Sequence, residues 1–316
     1  MAVKYLIYGA GALGSIFGGL LQLSGQDVTY LGLGPHYEKI LAHGIRITGI
    51  WGEFHVPKIR GFHTPEELQN EQFDAVLVCV KSTDTHLVAS SAAKLAKSDG
   101  LVLSIQNGLN NVETLAKAAG NHRTIGGRII FGADIPELGT AKVTVYADKV
   151  LLGCPFGKTN SALLEQITMD LNHAKIPTAI EPNIMAFIWG KVLYNGALNP
   201  LGAILEVPYG KLGEHPATKD LMHGILTEIF QVMAAKNIQV PYASADVYFT
   251  YLMEKQLPPT AEHRSSMLQD IKAGRKTEIM ALNGAICGYG KELGIPTPLN
   301  EMITKLIQFK ENLQNG

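Results

Sequence analysis

"KYLIYGAGALGSIFGGLLQL", residues 4–23, runs from an apolar stretch into closely spaced glycines and then into a second apolar stretch. Gly9, Gly11 and Gly14 fit G-x-G-x-x-G after a predicted strand and before a predicted helix, the context that gives this otherwise weak pattern its meaning. Each glycine has a reason: Gly9 permits the tight turn, Gly11 lets the backbone approach a pyrophosphate, and Gly14 lets the helix pack on the strand. Ala12 and Leu13 fall in the first helical turn, where free N–H groups favour an anion, so they join the three glycines as dinucleotide-binding candidates. A glycine turn that serves packing alone is the competing reading. The order strand, loop, helix, second strand favours the dinucleotide.

The end of the second strand normally selects the cofactor, an acid for the ribose hydroxyls of NAD or an arginine for the extra phosphate of NADP. Here "YLGLGPHYEKI", residues 30–40, has neither in the window, which holds Leu31, Gly32 and Leu33. His36 and Lys39 are close enough to reach a phosphate, although surface placement at a helix start is the simpler expectation.

Working outward, the first half alternates short apolar runs with helical patterns, the signature of βαβ units and a mainly parallel sheet. Strands are predicted at 4–9, 27–33, 73–81, near 100 and across "RTIGGRIIFGA" at 123–133, with helices at 12–24, 84–97 and 110–119. The later runs "AKVTVYA" and "KVLLGCP" are expected to extend the same sheet as antiparallel strands. From about Asn183 apolar residues recur at three and four, as in Leu221, Ile225, Ile229 and Val232, so the second half is predicted to be helical. The fold class is therefore α/β, a Rossmann-type domain over 1–180 followed by an all-helical domain over 181–316, with Pro177 and Pro182 punctuating the change.

Composition narrows the function. The 316 residues carry 27 basic and 28 acidic side chains, a net charge of -1, which leaves no field to gather nucleic acid or an anionic membrane. Cys79, Cys154 and Cys287 are an odd, scattered set that suits a reducing, cytoplasmic setting, where they are expected to act as small core hydrophobes. Tyr5 to Gln26 is uncharged for long enough to mimic a membrane span, but its glycines and the strand that follows argue against that. The ten histidines lack ligand spacing, and no metal is expected.

In "IWGKVLYNGALNP", residues 188–200, Lys191, Asn195 and Asn199 recur every four residues with no carboxylate in the segment to pair with. On a helix they line one polar face. By spacing alone a solvated helix face is the better reading. Lys81 and Asn107 end predicted strands, where open α/β sheets bind ligands, although Asn-Gly also makes turns by itself.

With the glycine loop, "VCVKSTDT" at 78–85, "SIQNGLNN" at 104–111, "WGKVLYNGALNPLGAI" at 189–204 and "RSSMLQDIKAGRKTEI" at 264–279, the chain resembles the ketopantoate reductases. These blocks span nearly the whole chain. The resemblance implies NADPH, with NADH allowed, and reduction of the 2-oxo acid 2-dehydropantoate to (R)-pantoate between the two domains, with a homodimer as an allowed assembly. By motif it makes Lys191 the general acid and Glu278 its acidic partner. It makes Asn195, Asn199 and Ser266 substrate-binding residues, Lys81 a cofactor residue, and Asn107 a residue of both. Two positions depart from the family: Leu33 replaces an arginine after the second strand, and Tyr209 replaces an asparagine after "NPLGAI". They keep alive an NAD-dependent, mandelate-type 2-hydroxy acid dehydrogenase. A non-catalytic dinucleotide sensor is the rival from another class, and Lys191 with Glu278 argues against it. For the 264–279 block the plain alternative is an exposed loop with Ser266 as helix cap, and Arg264 and Arg275 are read as surface residues.

Overall fold

The apolar run at Lys4–Tyr8 becomes strand β1, and its side chains alternate between two cores as a sheet covered on both faces requires. The structure, a computed structural model describing residues 3–313, divides into two units. One comprises the chain up to Asn107 plus Asn111–Ile184. The other comprises Gly108–Asn110 plus the chain from Met185.

In the first unit β1 leads through helix α1 (Ala12–Leu23) to β2 (Asp27–Leu31), α2 (Pro35–His43), β3 (Ile45–Gly49), β4 (Phe54–Val56) and β5 (Arg60–Phe62). Then come β6 (Phe73–Val78), α3 (Thr85–Leu95), β7 (Ala96–Ser104), α4 (Asn111–Ala119), β8 (Thr124–Arg128), β9 (Phe131–Glu137) and β10 (Thr140–Tyr146). Finally β11 (Val150–Gly153), α5 (Ser161–His173) and β12 (Thr178–Ile180) complete it. The main sheet runs β12-β11-β8-β7-β6-β1-β2-β5 and is parallel except where β11 meets β8. Tyr5 and Ile7 face the core that holds Phe17, Leu20 and Leu21 of α1, while Leu6 and Tyr8 face Ala89, Ala92 and Leu115 of α3 and α4. The Tyr5 hydroxyl donates to the buried Asp170 of α5 at 2.6 Å, and burial, then that carboxylate, pushes the phenol well above its ordinary range.

The Rossmann-type reading holds, with local corrections. The run "RTIGGRIIFGA" is two strands in different sheets, because the chain leaves the main sheet after Arg128. Strand β11 does extend the main sheet antiparallel, but β10 instead joins a second sheet of order β4-β3-β10-β9. The uncharged Tyr5–Gln26 stretch is β1, a turn and the short α1, and no described helix is long and apolar enough to cross a membrane. The three cysteines are free and half-buried rather than fully buried.

The second unit begins on α6 (Ile184–Leu205) and continues through α7 (Tyr209–Glu214), α8 (Pro216–Ala235), α9 (Ala245–Tyr251), α10 (Ser266–Lys272), α11 (Asn283–Leu293) and α12 (Pro298–Leu313). Pro200 lies inside α6 and cannot donate to the carbonyl of Gly196 one turn earlier. The helix persists because the fully buried Asn283 supplies the missing donor, its Nδ2 lying 3.0 Å from that oxygen. The last carbonyls of α6, those of Ala203 and Ile204, accept from the Lys310 ammonium at 3.1 and 3.3 Å, the favoured place for a cation.

Candidate active site

The glycine loop comes first because its geometry is the most constrained. Gly9 has φ +104°, and a Cβ there would lie 2.6 Å from the Val80 nitrogen, so only glycine fits between β1 and the end of β6. At Gly14 a Cβ would lie 2.0 Å from the Gly9 carbonyl oxygen, which explains how α1 comes so close to the loop. Gly11 differs: it is exposed, and a Cβ there would meet nothing within 4 Å. No side chain caps α1, no acid occupies its first turn, and Ala12 and Leu13 are half-buried. An open loop before an uncapped helix start fits a pyrophosphate.

Lys81 is exposed beyond β6 and opens a short 3-10 turn, its carbonyl accepting the Asp84 N–H at 2.9 Å. Asn107 is half-buried beyond β7, and its carbonyl accepts from Ser82 Oγ at 2.6 Å and Asn111 Nδ2 at 2.8 Å. Both residues therefore stand past the carboxyl ends of parallel strands, on the glycine-loop edge of the sheet. Leu33 lies just beyond β2 and is 75% exposed.

His36 corrects the surface expectation. It is buried, with Nδ1 accepting the Gly139 N–H at 3.1 Å and Nε2 3.0 Å from Ser15 Oγ. It faces inward to the loop's own helix rather than outward to a phosphate.

In the second unit α6 carries Lys191, Asn195 and Asn199 on one face, and the face changes character along its length. Lys191 and Asn195 are half-buried, flanked by the buried Trp189, Val192 and Leu193. Among the described residues nothing hydrogen-bonds the Asn195 amide. Asn199 is buried, its Oδ1 accepting from the Tyr209 hydroxyl and its carbonyl from Ser265 Oγ at 2.8 Å. Tyr209 thus occupies the amide oxygen that a ligand hydroxyl would otherwise reach.

The cap of α10 is Ser265, not Ser266. Its Oγ accepts from the N–H groups of Met267 and Leu268 at 3.1 and 3.4 Å, which leaves Ser266 exposed at the first helical position. Arg264 and Arg275 are surface residues, the latter paired with Asp270 at 2.9 Å. Glu278 is half-buried at the head of the turn Ile279–Ala281. That turn is pinned from α12: Glu311 Oε1 accepts from the N–H and the hydroxyl of Thr277 at 2.7 and 2.6 Å, and Thr277 Oγ1 accepts the Ile279 N–H at 3.2 Å. The roles of Ser265 and Glu311 come from partners 66 and 34 residues away in the chain. Among the described residues no group of three His, Cys, Asp or Glu side chains could hold a metal ion.

Comparison with known proteins identifies the family. Residues 5–155 match the family model described as ketopantoate reductase PanE/ApbA, and residues 183–311 match its C-terminal model. A 2-dehydropantoate 2-reductase of Aquifex aeolicus is 40% identical over 311 residues, covering 98% of each chain. Among solved structures, 2-dehydropantoate 2-reductase from Geobacter metallireducens is 30% identical with a TM-score of 0.86, over 97% of this chain and 99% of that one. A D-mandelate dehydrogenase solved with NADH and anilino(oxo)acetate is 28% identical with a TM-score of 0.88, over 99% of this chain and 100% of that one. The chain belongs to the ketopantoate reductase family.

Proposed function

We propose that this member of the family reduces 2-dehydropantoate to (R)-pantoate, with NADPH as the better cofactor. The observation that carries the reading is the α6 face: a half-buried lysine one turn from an amide that no described residue hydrogen-bonds, in a chain 40% identical over 311 residues to a 2-dehydropantoate 2-reductase.

A bound nicotinamide dinucleotide would supply the hydride; the chain's own residues then bind, orient and protonate. The glycine loop and the start of α1 hold the pyrophosphate, with Lys81 and Asn107 beside the strand ends. As the ketone carbon gains hydride its oxygen becomes an alkoxide, and the Lys191 ammonium stabilises that charge and delivers the proton. Lysine is left neutral and regains its proton from solvent. Glu278 orients substrate and ammonium. Asn195 binds the substrate hydroxyl through an uncharged amide, and Ser266 donates to the carboxylate. Asn199 forms the floor beneath them, held by Tyr209.

The test is cofactor oxidation with NADPH and NADH against a panel of 2-oxo acids that includes 2-dehydropantoate and benzoylformate. The highest kcat/KM is expected for 2-dehydropantoate with NADPH. A mandelate-type preference is the second reading, favoured by Leu33 and by the D-mandelate dehydrogenase likeness. It wins if benzoylformate with NADH is best. Absence of turnover for every acid with both cofactors overturns both readings.

A further inference from the structure

Helix α1 has no ionisable side chain, yet a histidine from α2 is buried against it. The hydrogen bonds around that histidine have only one consistent direction. The Gly139 N–H, in the turn between β9 and β10, can only donate, so His36 Nδ1 must be unprotonated and the ring proton sits on Nε2. The Nε2–H then points at Ser15 Oγ at 3.0 Å, and the Ser15 hydroxyl passes its own hydrogen to the Ala10 carbonyl at 3.4 Å. Ser15 is fully buried, and Ala10 lies between Gly9 and Gly11.

We propose that His36 is a positioning residue for dinucleotide binding, a neutral imidazole that holds the glycine loop in place through Ser15 and anchors it to the β9–β10 turn. This rests on the dinucleotide reading above. Protonation would set Nδ1–H against the Gly139 N–H, donor against donor, and release the anchor. Burial already lowers the His36 pKa from its ordinary value, so the neutral form is favoured. The sign follows: the Gly139 anchor is intact at neutral pH and is lost as pH falls through the lowered pKa, while the Nε2–H to Ser15 bond survives protonation.

Other charges are near. Helix α2 presents Tyr37, Glu38, Lys39 and His43, with Glu38 engaged by His63 at 2.9 Å. Lys39 runs past Gly139, and Glu137 of β9 stands 4.0 Å from Arg46 of β3. Of these His43 and His63 are the other imidazoles, and both are exposed.

The experiment is a fluorescence titration of the full-length protein with NADPH and with NADH, between pH 8 and 5.5, alongside kinetics. The NADH series isolates the protein, because the 2′-phosphate of NADPH itself titrates near pH 6. In the wild type, affinity should be level above neutrality and fall severalfold as His36 protonates, which its imidazole NMR signal follows in the same samples. His63→Gln should keep that profile. His36→Gln, whose amide nitrogen can stand where Nε2 stood but which cannot accept the Gly139 N–H, should bind severalfold more weakly at pH 7.5, as the protonated wild type does, and lose the pH dependence. His36→Asn, which can keep only the Gly139 contact, and Ser15→Ala should bind at least fivefold more weakly, raising the cofactor KM with kcat little changed. Wild-type affinity that does not change as His36 protonates, or a His36 ring proton found on Nδ1 rather than Nε2 at pH 7.5, overturns the proposal, even if the variants do not fold. So do His36→Asn and Ser15→Ala with wild-type affinity. A wild type that binds neither cofactor at any pH overturns the dinucleotide reading as well.

Discussion

Ser265 and Ser266 are adjacent and chemically identical, and the difference in their roles lies in the backbone. The spacing Ser266-x-x-Gln269 favours Ser266 as the cap by the local rule. Ser265 takes the position because its hydroxyl also reaches the Asn199 carbonyl, 66 residues away in the chain. A local pattern contains no such partner, and the same holds for His36 and Gly139. That Lys191, Asn195 and Asn199 share one helix face was legible because four-residue spacing is itself helix geometry, whereas the role of Lys191 comes from the family resemblance and not from its spacing. In the proposed reaction the Lys191 charge answers one that develops only in the transition state, so Lys191→Ala should lower kcat by orders of magnitude while dinucleotide affinity stays near wild type. Asn195→Ala should act on KM, by about 0.5–1.5 kcal/mol for a neutral hydrogen bond made in the ground state. Steady-state kinetics with a cofactor titration separates the two, and a near-normal kcat for Lys191→Ala removes the lysine from the mechanism.

Helix α6 runs through a proline. A proline in "NPLGAIL" reads as a stop, but the helix runs on to Leu205. What saves it is Asn283, whose side chain takes the place of a backbone N–H, while its amide nitrogen also meets Asn300 Oδ1 at 2.9 Å. Asn283→Ala should destabilise the protein by about 1–3 kcal/mol, since the Gly196 carbonyl is left buried without a donor. In that background Pro200→Ala should recover part of the loss, because residue 200 regains an N–H one turn from Gly196. Denaturant unfolding of the two single variants and the double variant measures the coupling, expected at about 0.5–3 kcal/mol. Strict additivity would mean that Asn283 does not serve that carbonyl. By contrast, β1, β2, β6 and α1 were legible almost to their ends, since a strand buried on both faces is apolar throughout.

At the scale of the molecule, a boundary near residue 180 was visible as a change of period from two to between three and four. Pattern reading cuts a chain only once, however, and the second unit also takes in Gly108–Asn110. Leu109 donates to the Ala281 carbonyl at 2.7 Å, and Asn110 accepts from the Tyr289 hydroxyl. A ligand that binds only the folded protein adds about 2.7 kcal/mol at a hundred times its Kd. Saturating NADPH should therefore raise Tm by roughly 5–10 °C for a unit of this size, read by calorimetry, whereas free adenosine should not. No shift with either nicotinamide dinucleotide would count against the glycine-loop site. The Leu109–Ala281 bond also sets a timetable on the ribosome. At about 5–20 residues per second, residue 281 is made on the order of ten to thirty seconds after residue 109. Throughout that interval the nascent chain carries Leu109, a residue buried in the finished protein, without the carbonyl that its N–H meets there.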